Sequence, residues 1–185
     1  MPVPKKAAVL IPIVASTDPS LLLIRRPSHM RRHAGQVACP GGIYEESDGD
    51  LLRTALRETE EEIGVAASAI TIVCRIPEVY TVASNFLITP FVGVIRPPLE
   101  LRVDPSEIED VYEIPLRALR AQGAVHFGEE KVGEVHVPSW LFDYNGVHVW
   151  GATGRILHDL LDVLAQREGE HELEQAISLS LYGVE

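Results

Sequence analysis

Apolar and polar positions along the chain change period several times, and the changes predict alternating strands and helices. Ala7 to Ala15 and Leu21 to Arg26 are dense apolar runs of strand length. Between them Thr17-Asp18-Pro19-Ser20 reads as a turn, because proline presets the backbone angle such a turn needs. Pro27 to Gly35 is a polar, basic loop. Gln36 to Cys39 predicts a short strand, stopped by a turn at Pro40-Gly41-Gly42. Asp50 is suited to N-cap a long helix, and Gly64 follows its last turn. Ile70 to Val79 and Phe86 to Ile95 are β-rich, and Pro97-Pro98 breaks the pattern after them. Glu107 to Ile114 predicts a strand and Leu116 to Ala121 a short helix. Val132 to Trp140 and Val147 to Trp150 read as strands near an Asn145-Gly146 turn. From Thr153 to Arg167, the apolar residues Ile156, Leu157, Leu160, Leu161 and Leu164 form a helical stripe. Mixed strands with at least two long helices imply an α/β fold in which helices cover a sheet.

Composition narrows the function classes. The 185 residues, 46% apolar and 23% charged, predict a single domain over residues 1–185 that buries its own core. The 27 acidic and 16 basic residues give a formal charge of −11, which argues against non-specific binding to nucleic acid or anionic membranes. A small anionic substrate remains compatible, because a local basic patch can sit on an acidic protein. The two cysteines, Cys39 and Cys74, have no metal or redox spacing. They read as reduced thiols, and a cytoplasmic location is expected. Lys5-Lys6 and the run after them loosely resemble a secretion signal, but Pro12 interrupts the run and a first strand is the better reading. No apolar stretch approaches the roughly 20 residues that span a bilayer.

The acidic residues concentrate in one place. Eight of the 27 lie between Glu45 and Glu62. On a helical wheel advancing about 100° per residue, Glu58, Glu61 and Glu62 share one face and Glu60 points away. Leu52, Leu56, Thr59 and Ile63 form the stripe expected to be buried. Like charges spaced i,i+4 destabilise a helix, and a divalent cation removes that cost. Carboxylate oxygens favour hard ions, so Mg²⁺ or Mn²⁺ is expected over zinc. A solvated acidic face is the plain alternative. The preceding Pro40-Gly41-Gly42, which allows close backbone approach, and Arg57, able to hold a carboxylate bidentately, favour the metal.

Gly42, Asp48, Arg57, Glu58, Glu61, Glu62 and Gly64 resemble the Nudix box, G-x5-E-x7-R-E-U-x-E-E-x-G-U with U apolar, over about residues 42–65. Asp48 stands for the first Glu with one extra residue before Arg57, and Thr59 stands at an apolar position. The resemblance implies a Nudix-type α/β/α sandwich with a mixed sheet between helices. It also implies metal-dependent hydrolysis of a diphosphate linked to another moiety. By the same resemblance Glu58, Glu61 and Glu62 are metal-ligand positions, Glu58, Glu61 and Arg57 belong to the catalytic set, and the Gly42 carbonyl is a weaker ligand candidate.

Arg25, Arg26, His29, Arg31, Arg32 and His33 make a local anion trap just before the box, and arginine suits phosphate through its planar fork. Leu22, Leu23, Arg26, Arg31, Gly35, Pro40, Gly41 and Gly42 are similar, in register, to the L-L-T-x-R-[SA]-x3-R-x3-G-x3-F-P-G-G signature of Nudix coenzyme A diphosphatases. Ile24, Pro27 and Cys39 depart from it. A Trp-Gly-Ala-Thr run at Trp150 to Thr153 also recurs in that subgroup. The resemblance implies coenzyme A or acyl-coenzyme A as substrate, with Arg26, Arg31, Gly41 and Gly42 binding it. ADP-ribose, dinucleotides or nucleoside triphosphates remain alternatives, as does a silent module that senses a nucleotide. Intact Glu58, Glu61 and Glu62 speak against silence. A homodimer is left open.

Glu107 and Glu109 lie where Nudix enzymes often draw a further acid as base or ligand, and Glu107 is included in the catalytic set. Trp150 is expected to pack rather than stack on a base. His126, His136, His148 and His158 have no ligand spacing and are read as structural. Tyr80 and Ser84 lie in a loop that borders the site in relatives.

Overall fold

The computed structural model describes residues 2–29 and 34–182. Lys5–Val14 (β1) and Ser20–Arg25 (β2) pair antiparallel. The chain continues through Val37–Ala38 (β3), Gly41–Ile43 (β4), Leu51–Ile63 (α1), Ile70–Arg75 (β5), Val79–Thr81 (β6) and Phe86–Ile95 (β7). Asp110–Pro115 (β8), Leu116–Leu119 (α2), Val125–Val132 (β9), Val135–Tyr144 (β10), Val147–Val149 (β11), Gly151–Leu164 (α3) and Arg167–Tyr182 (α4) complete it.

Successive side chains of a strand point to opposite faces. Ile11 and Ile13 of β1, with Leu21 and Leu23 of β2, therefore share one core with Ile156, Leu157 and Leu160 of α3 and Leu173 of α4. Ala8 and Leu10 face the other way and meet Ala55 of α1, while Leu22 and Ile24 meet Ile63. A strand buried on both faces reads as a continuous apolar run, which is how β1 and β2 look in the sequence. β1 sits inside an eight-stranded sheet, parallel to β7 along one edge and antiparallel to β4 and β2 along the other. With α1 on one face and α3 and α4 on the other, the architecture is the α/β/α sandwich with a mixed sheet. β9, β10 and β11 form a separate three-stranded sheet. Among the described residues, no helix is long and apolar enough to cross a membrane.

Several boundaries differ from the sequence expectations. Pro40-Gly41-Gly42 is not a turn: Gly41 and Gly42 begin β4, opposite Val9 and Ala8 of β1. The Ile70 to Val79 run divides between β5 and β6, with Pro77 in the break. The expected Glu107 strand starts only at Asp110, because Asp104-Pro105-Ser106 turns the chain first. Val132 to Trp140 spans two strands, β9 and β10, that reverse at Gly133-Glu134. The last predicted helix runs from Gly151 to Leu164 rather than from Thr153 to Arg167, and α4 follows it.

In α1 the Asp50 side chain accepts the Arg53 N–H at 2.8 Å, and Gly64 adopts the left-handed conformation at the other end, as expected of caps. Its buried face is rotated from the expected stripe. Thr54, Ala55, Thr59, Glu62 and Ile63 are buried, whereas Leu52 and Leu56 are only half-buried. Small Ala55 and short Thr54 and Thr59 let the helix settle closely on β1 and β4, which draws the Glu62 side of the wheel inward.

Candidate active site

The centre of the site is the contact of β4 with α1. A Cβ on Gly42 would lie 2.3 Å from the Glu58 carboxyl carbon, so this position has no room for a side chain while Glu58 keeps its place. Gly41, with φ of +151°, brings its N–H to within 2.9 Å of Glu62 Oε2. Glu62 is 1% exposed. Its other oxygen is 3.4 Å from Arg26 Nη2, which also donates to the Gly41 carbonyl at 3.4 Å. Sequence-predicted Arg26, Gly41, Gly42, Glu58 and Glu62 are thus gathered in one place.

Burial pushes the Glu62 carboxyl up to about 7, against the pull of Arg26 and the Gly41 N–H, and the charges of Glu58 and Glu107 add to the rise. Glu58 is also raised, first by burial, with Arg57 opposing and Glu61 and Glu107 adding. Buried carboxylates that raise one another in this way are a donor set for a hard divalent cation, which would replace the missing solvation. The residues therefore fit the hard divalent cation expected from the sequence.

Arg57 organises the outer side. Its Nε donates to Asp48 Oδ1 at 2.7 Å and its Nη2 to Oδ2 at 3.2 Å. Nη1 lies 2.9 Å from both Glu58 and Glu61. Asp48 is buried and also accepts from Thr54 Oγ1 at 2.8 Å and the Glu45 N–H at 3.0 Å. The Arg57 guanidinium, ahead of the other donors, holds the Asp48 carboxyl well below the usual carboxylate range. The bidentate contact expected of Arg57 therefore falls on Asp48, and its remaining nitrogen reaches Glu58 and Glu61. Glu61 is exposed beside it, and Glu60 lines a separate cavity with Gly64, Arg96 and Arg102.

Glu107 arrives from a loop moored to the end of α1. The Arg102 N–H donates to the Ile63 carbonyl at 2.9 Å and the Asp104 N–H to the Glu62 carbonyl at 3.1 Å. These carbonyls lack partners within the helix, so the loop satisfies them. Glu107 is exposed, and its charge acts on both Glu58 and Glu62. The mooring residue Asp104 was missed by sequence reasoning, although Asp-Pro-Ser is a recognisable turn signal.

Arg25 does not join Arg26, because neighbours on a strand face opposite ways. It is 3.6 Å from Asp110 and stacks over Tyr112. Arg31, Arg32 and His33 lie outside the described residues. Tyr80 donates to Asn85 at 2.9 Å, and Ser84 bonds Thr81 at 2.7 Å. Trp150 precedes α3 as its N-cap residue. Cys39 is buried, and desolvation pushes its thiol up to about 12. His148 bridges Asp143 and Glu130 at 2.7 and 2.8 Å. His158, read as having no ligand spacing, groups with Asp159 and Asp162 within 4.8 Å, but Arg155 already holds Asp159 through both oxygens.

Comparison with known proteins gives four matches of interest. The NUDIX domain model matches residues 4–133. "Uncharacterized Nudix hydrolase NudL" of Escherichia coli O1:K1 is 40% identical over 157 residues, covering 84% of this chain and 81% of the relative. Among solved structures, a MutT/nudix family protein from Enterococcus faecalis is similar in fold, with TM-score 0.58, 15% identity, and coverage of 100% of this chain and 76% of that one. A C. elegans Ap4A hydrolase binary complex gives TM-score 0.51 at 19% identity, covering 60% and 80%.

Proposed function

The chain belongs to the Nudix family, a Nudix hydrolase acting on phosphoric anhydride bonds, and from that premise we propose that it cleaves the diphosphate of coenzyme A or acyl-coenzyme A. The products are 3′,5′-ADP and 4′-phosphopantetheine or its acyl form. The observation that carries this reading is the position of Arg26. It is the first arginine of the coenzyme A signature, and its guanidinium lies 3.4 Å from both Glu62 and the Gly41 carbonyl. Arg26, Gly41 and Gly42 of the signature lie beside Glu58 and Glu62 of the acidic helix, which supports a single site suited to a diphosphate.

Glu58, Glu61 and Glu62 would hold Mg²⁺ or Mn²⁺, which supplies charge neutralisation at the diphosphate and a lowered pKa for an attacking water. The water oxygen bonds to one phosphorus as the bridging P–O bond breaks, and Glu107 or a glutamate of the α1 cluster takes the water proton, Glu107 being the candidate taken up below. Arg26 holds a phosphate oxygen, and Arg31, outside the described residues, is assigned the same work from the signature alone. Arg57 keeps Glu58 and Glu61 in register. Such positioning and charge stabilisation supply most of the catalysis of phosphoryl transfer.

A second reading, hydrolysis of ADP-ribose, dinucleotides or nucleoside triphosphates, is favoured by Arg25, whose engagement with Asp110 and Tyr112 removes one arginine from the anion trap. The test is a panel of coenzyme A, acyl-coenzyme A, dephospho-coenzyme A, ADP-ribose, NADH, Ap4A and dATP, with Mg²⁺ or Mn²⁺. Coenzyme A, with its 3′-phosphate, is expected to exceed dephospho-coenzyme A in kcat/KM by about 10-fold or more, the worth of one charged hydrogen bond. Robust ADP-ribose or dATP cleavage with none of coenzyme A would overturn the coenzyme A reading and leave the second one.

A further inference from the structure

Of the acids proposed to act in the reaction, Glu58, Glu61, Glu62 and Glu107, α1 carries all but Glu107, so something else must fix it. The segment from Arg102 to Ile108 has no regular secondary structure and is largely exposed up to Glu107, yet both its ends are tied. At one end the Arg102 and Asp104 N–H groups bond the Ile63 and Glu62 carbonyls. At the other, Ile108 is 2% exposed in a cluster with Ile63 and Val65. Between the ties the chain turns on Asp104. Its Oδ1 accepts from the Ser106 N–H at 2.8 Å and from Ser106 Oγ at 2.6 Å. Its carbonyl accepts from the Glu107 N–H at 3.1 Å and the Ile108 N–H at 2.9 Å. Asp104 therefore bonds, at once, the backbone of metal-ligand candidate Glu62 and the backbone of Glu107.

We propose that Asp104 is a positioning residue for the reaction: its side chain, closed on Ser106, holds the turn that presents the Glu107 carboxylate to the Glu58–Glu62 pair. The inference rests on the diphosphatase reading and on Glu107 as proton acceptor. The Asp104 side chain is engaged by Ser106, and the proposal gives it no part in substrate binding. Its removal loosens the turn without uncovering the core, since the Glu62 and Ile63 carbonyls keep their main-chain donors. Loss of the Asp104 acceptor should therefore fall on kcat and leave KM nearly unchanged, because Arg26 and the α1 carboxylates stay in place.

The experiment is a double-mutant cycle of Asp104→Ala and Glu107→Gln, with coenzyme A as substrate, or ADP-ribose if wild type prefers it. Asp104→Ala is expected to lower kcat about 10-fold, within the range that a small misplacement of a reacting group costs, with KM within about twofold. In the Glu107→Gln background the same change should cost less than about twofold, because groups that act as a unit are not additive. Asp104→Asn keeps the Oδ1 acceptor and should recover kcat to within about threefold of wild type. Should Asp104→Ala fold poorly, Ser106→Ala removes one of the two bonds and should give a smaller loss with the same cycle behaviour. Equal losses in both backgrounds, or a raised KM with unchanged kcat, would overturn the positioning role. A fully active Glu107→Gln enzyme would overturn it through Glu107 while leaving the diphosphatase reading to the substrate panel and to Glu62→Gln.

Discussion

Replacing Gly42 by alanine would set a Cβ 2.3 Å from the Glu58 carboxyl carbon and 2.5 Å from its farther oxygen. Ordinary contact begins at 3.4 Å, so the carboxylate must retreat by about 1 Å. The obstructing atoms are the far end of a flexible side chain, so the fold can yield cheaply. The loss of chain entropy in the unfolded state even offers about 0.4–1 kcal/mol in return. Gly42→Ala should therefore melt within a few degrees of wild type yet lose about 10²-fold in kcat, the cost of misplacing a catalytic group by about 1 Å. Gly41→Ala is the contrast. Its φ of +151° and a Cβ only 2.6 Å from the Val9 Cα put the conflict in the backbone of β1 itself. Backbone strain of about 1–3 kcal/mol adds to a similar overpacking cost, a large part of the roughly 5–15 kcal/mol that holds a domain folded. Thermal melts and product chromatography on both variants separate the two effects. A Gly42→Ala enzyme with full activity, or one inactive only because it unfolds, would refute the claim that Gly42 exists to make room for Glu58.

The wheel positions of the carboxylates give a paired test. Glu62→Gln should cost at least about 10²-fold in turnover and weaken Mn²⁺ binding, while Glu60→Gln, on the exposed opposite face, should stay within about threefold. Equal losses would mean that the site is not built on Glu62. The Glu62 carboxyl, pushed up to about 7, gives a pH dependence of definite sign. The native metal-free protein keeps this proton up to about pH 7, whereas an unfolded Glu releases it near about 4.3, so the Glu62 contribution to stability declines as pH rises between those values. Mn²⁺ must displace the same proton, so its affinity, read by electron paramagnetic resonance titration, should fall about tenfold per pH unit below about 7. Affinity that stays flat from about pH 5.5 to about 7 would contradict a buried, proton-holding Glu62.

The parts of the fold and site that could be read from sequence are those whose causes are local. Asp50 and Gly64 bracket α1 because capping is decided within one turn, and the separation of Glu60 from Glu58 and Glu62 follows from helix geometry alone. The orientation of α1 on the sheet is a tertiary matter. The apolar pattern favours Leu52 and Leu56, but close packing over Ala55 and Thr59 wins, and a glutamate goes inward because β4 offers it a backbone N–H. β9 escaped notice since Glu129, Glu130 and Lys131 dilute its pattern in a sheet that covers little on one side. α4 carries buried Leu173, Ala176 and Ser180, too weak an apolar stripe to announce itself. The sequence grouped Arg25 with Arg26 in one anion trap, and only the signature set Arg26 apart; the two neighbours diverge because alternation along the strand sends Arg25 to Asp110 and Arg26 to Glu62.

That division between two adjacent arginines bears on how the acidic helix stays folded. Glu58 and Glu62 are spaced i,i+4, an arrangement that costs an exposed helix about 0.2–0.5 kcal/mol and more when both are desolvated. Each has a different compensation. Glu58 leans on Arg57, which α1 itself supplies at 2.9 Å and which Asp48 holds rigidly in turn. Glu62 takes its one short bond, 2.9 Å, from the Gly41 backbone, and its arginine stands off at 3.4 Å from another strand. A backbone donor cannot leave without breaking β4, whereas a long contact to a half-buried guanidinium is cheap to exchange. Glu62 is therefore fixed by the sheet, and Arg26 is the cation of the two that can turn to a phosphate without releasing a carboxylate. The helix keeps its charges in place through Arg57 and Gly41, and on the proposed reading that leaves Arg26 for substrate.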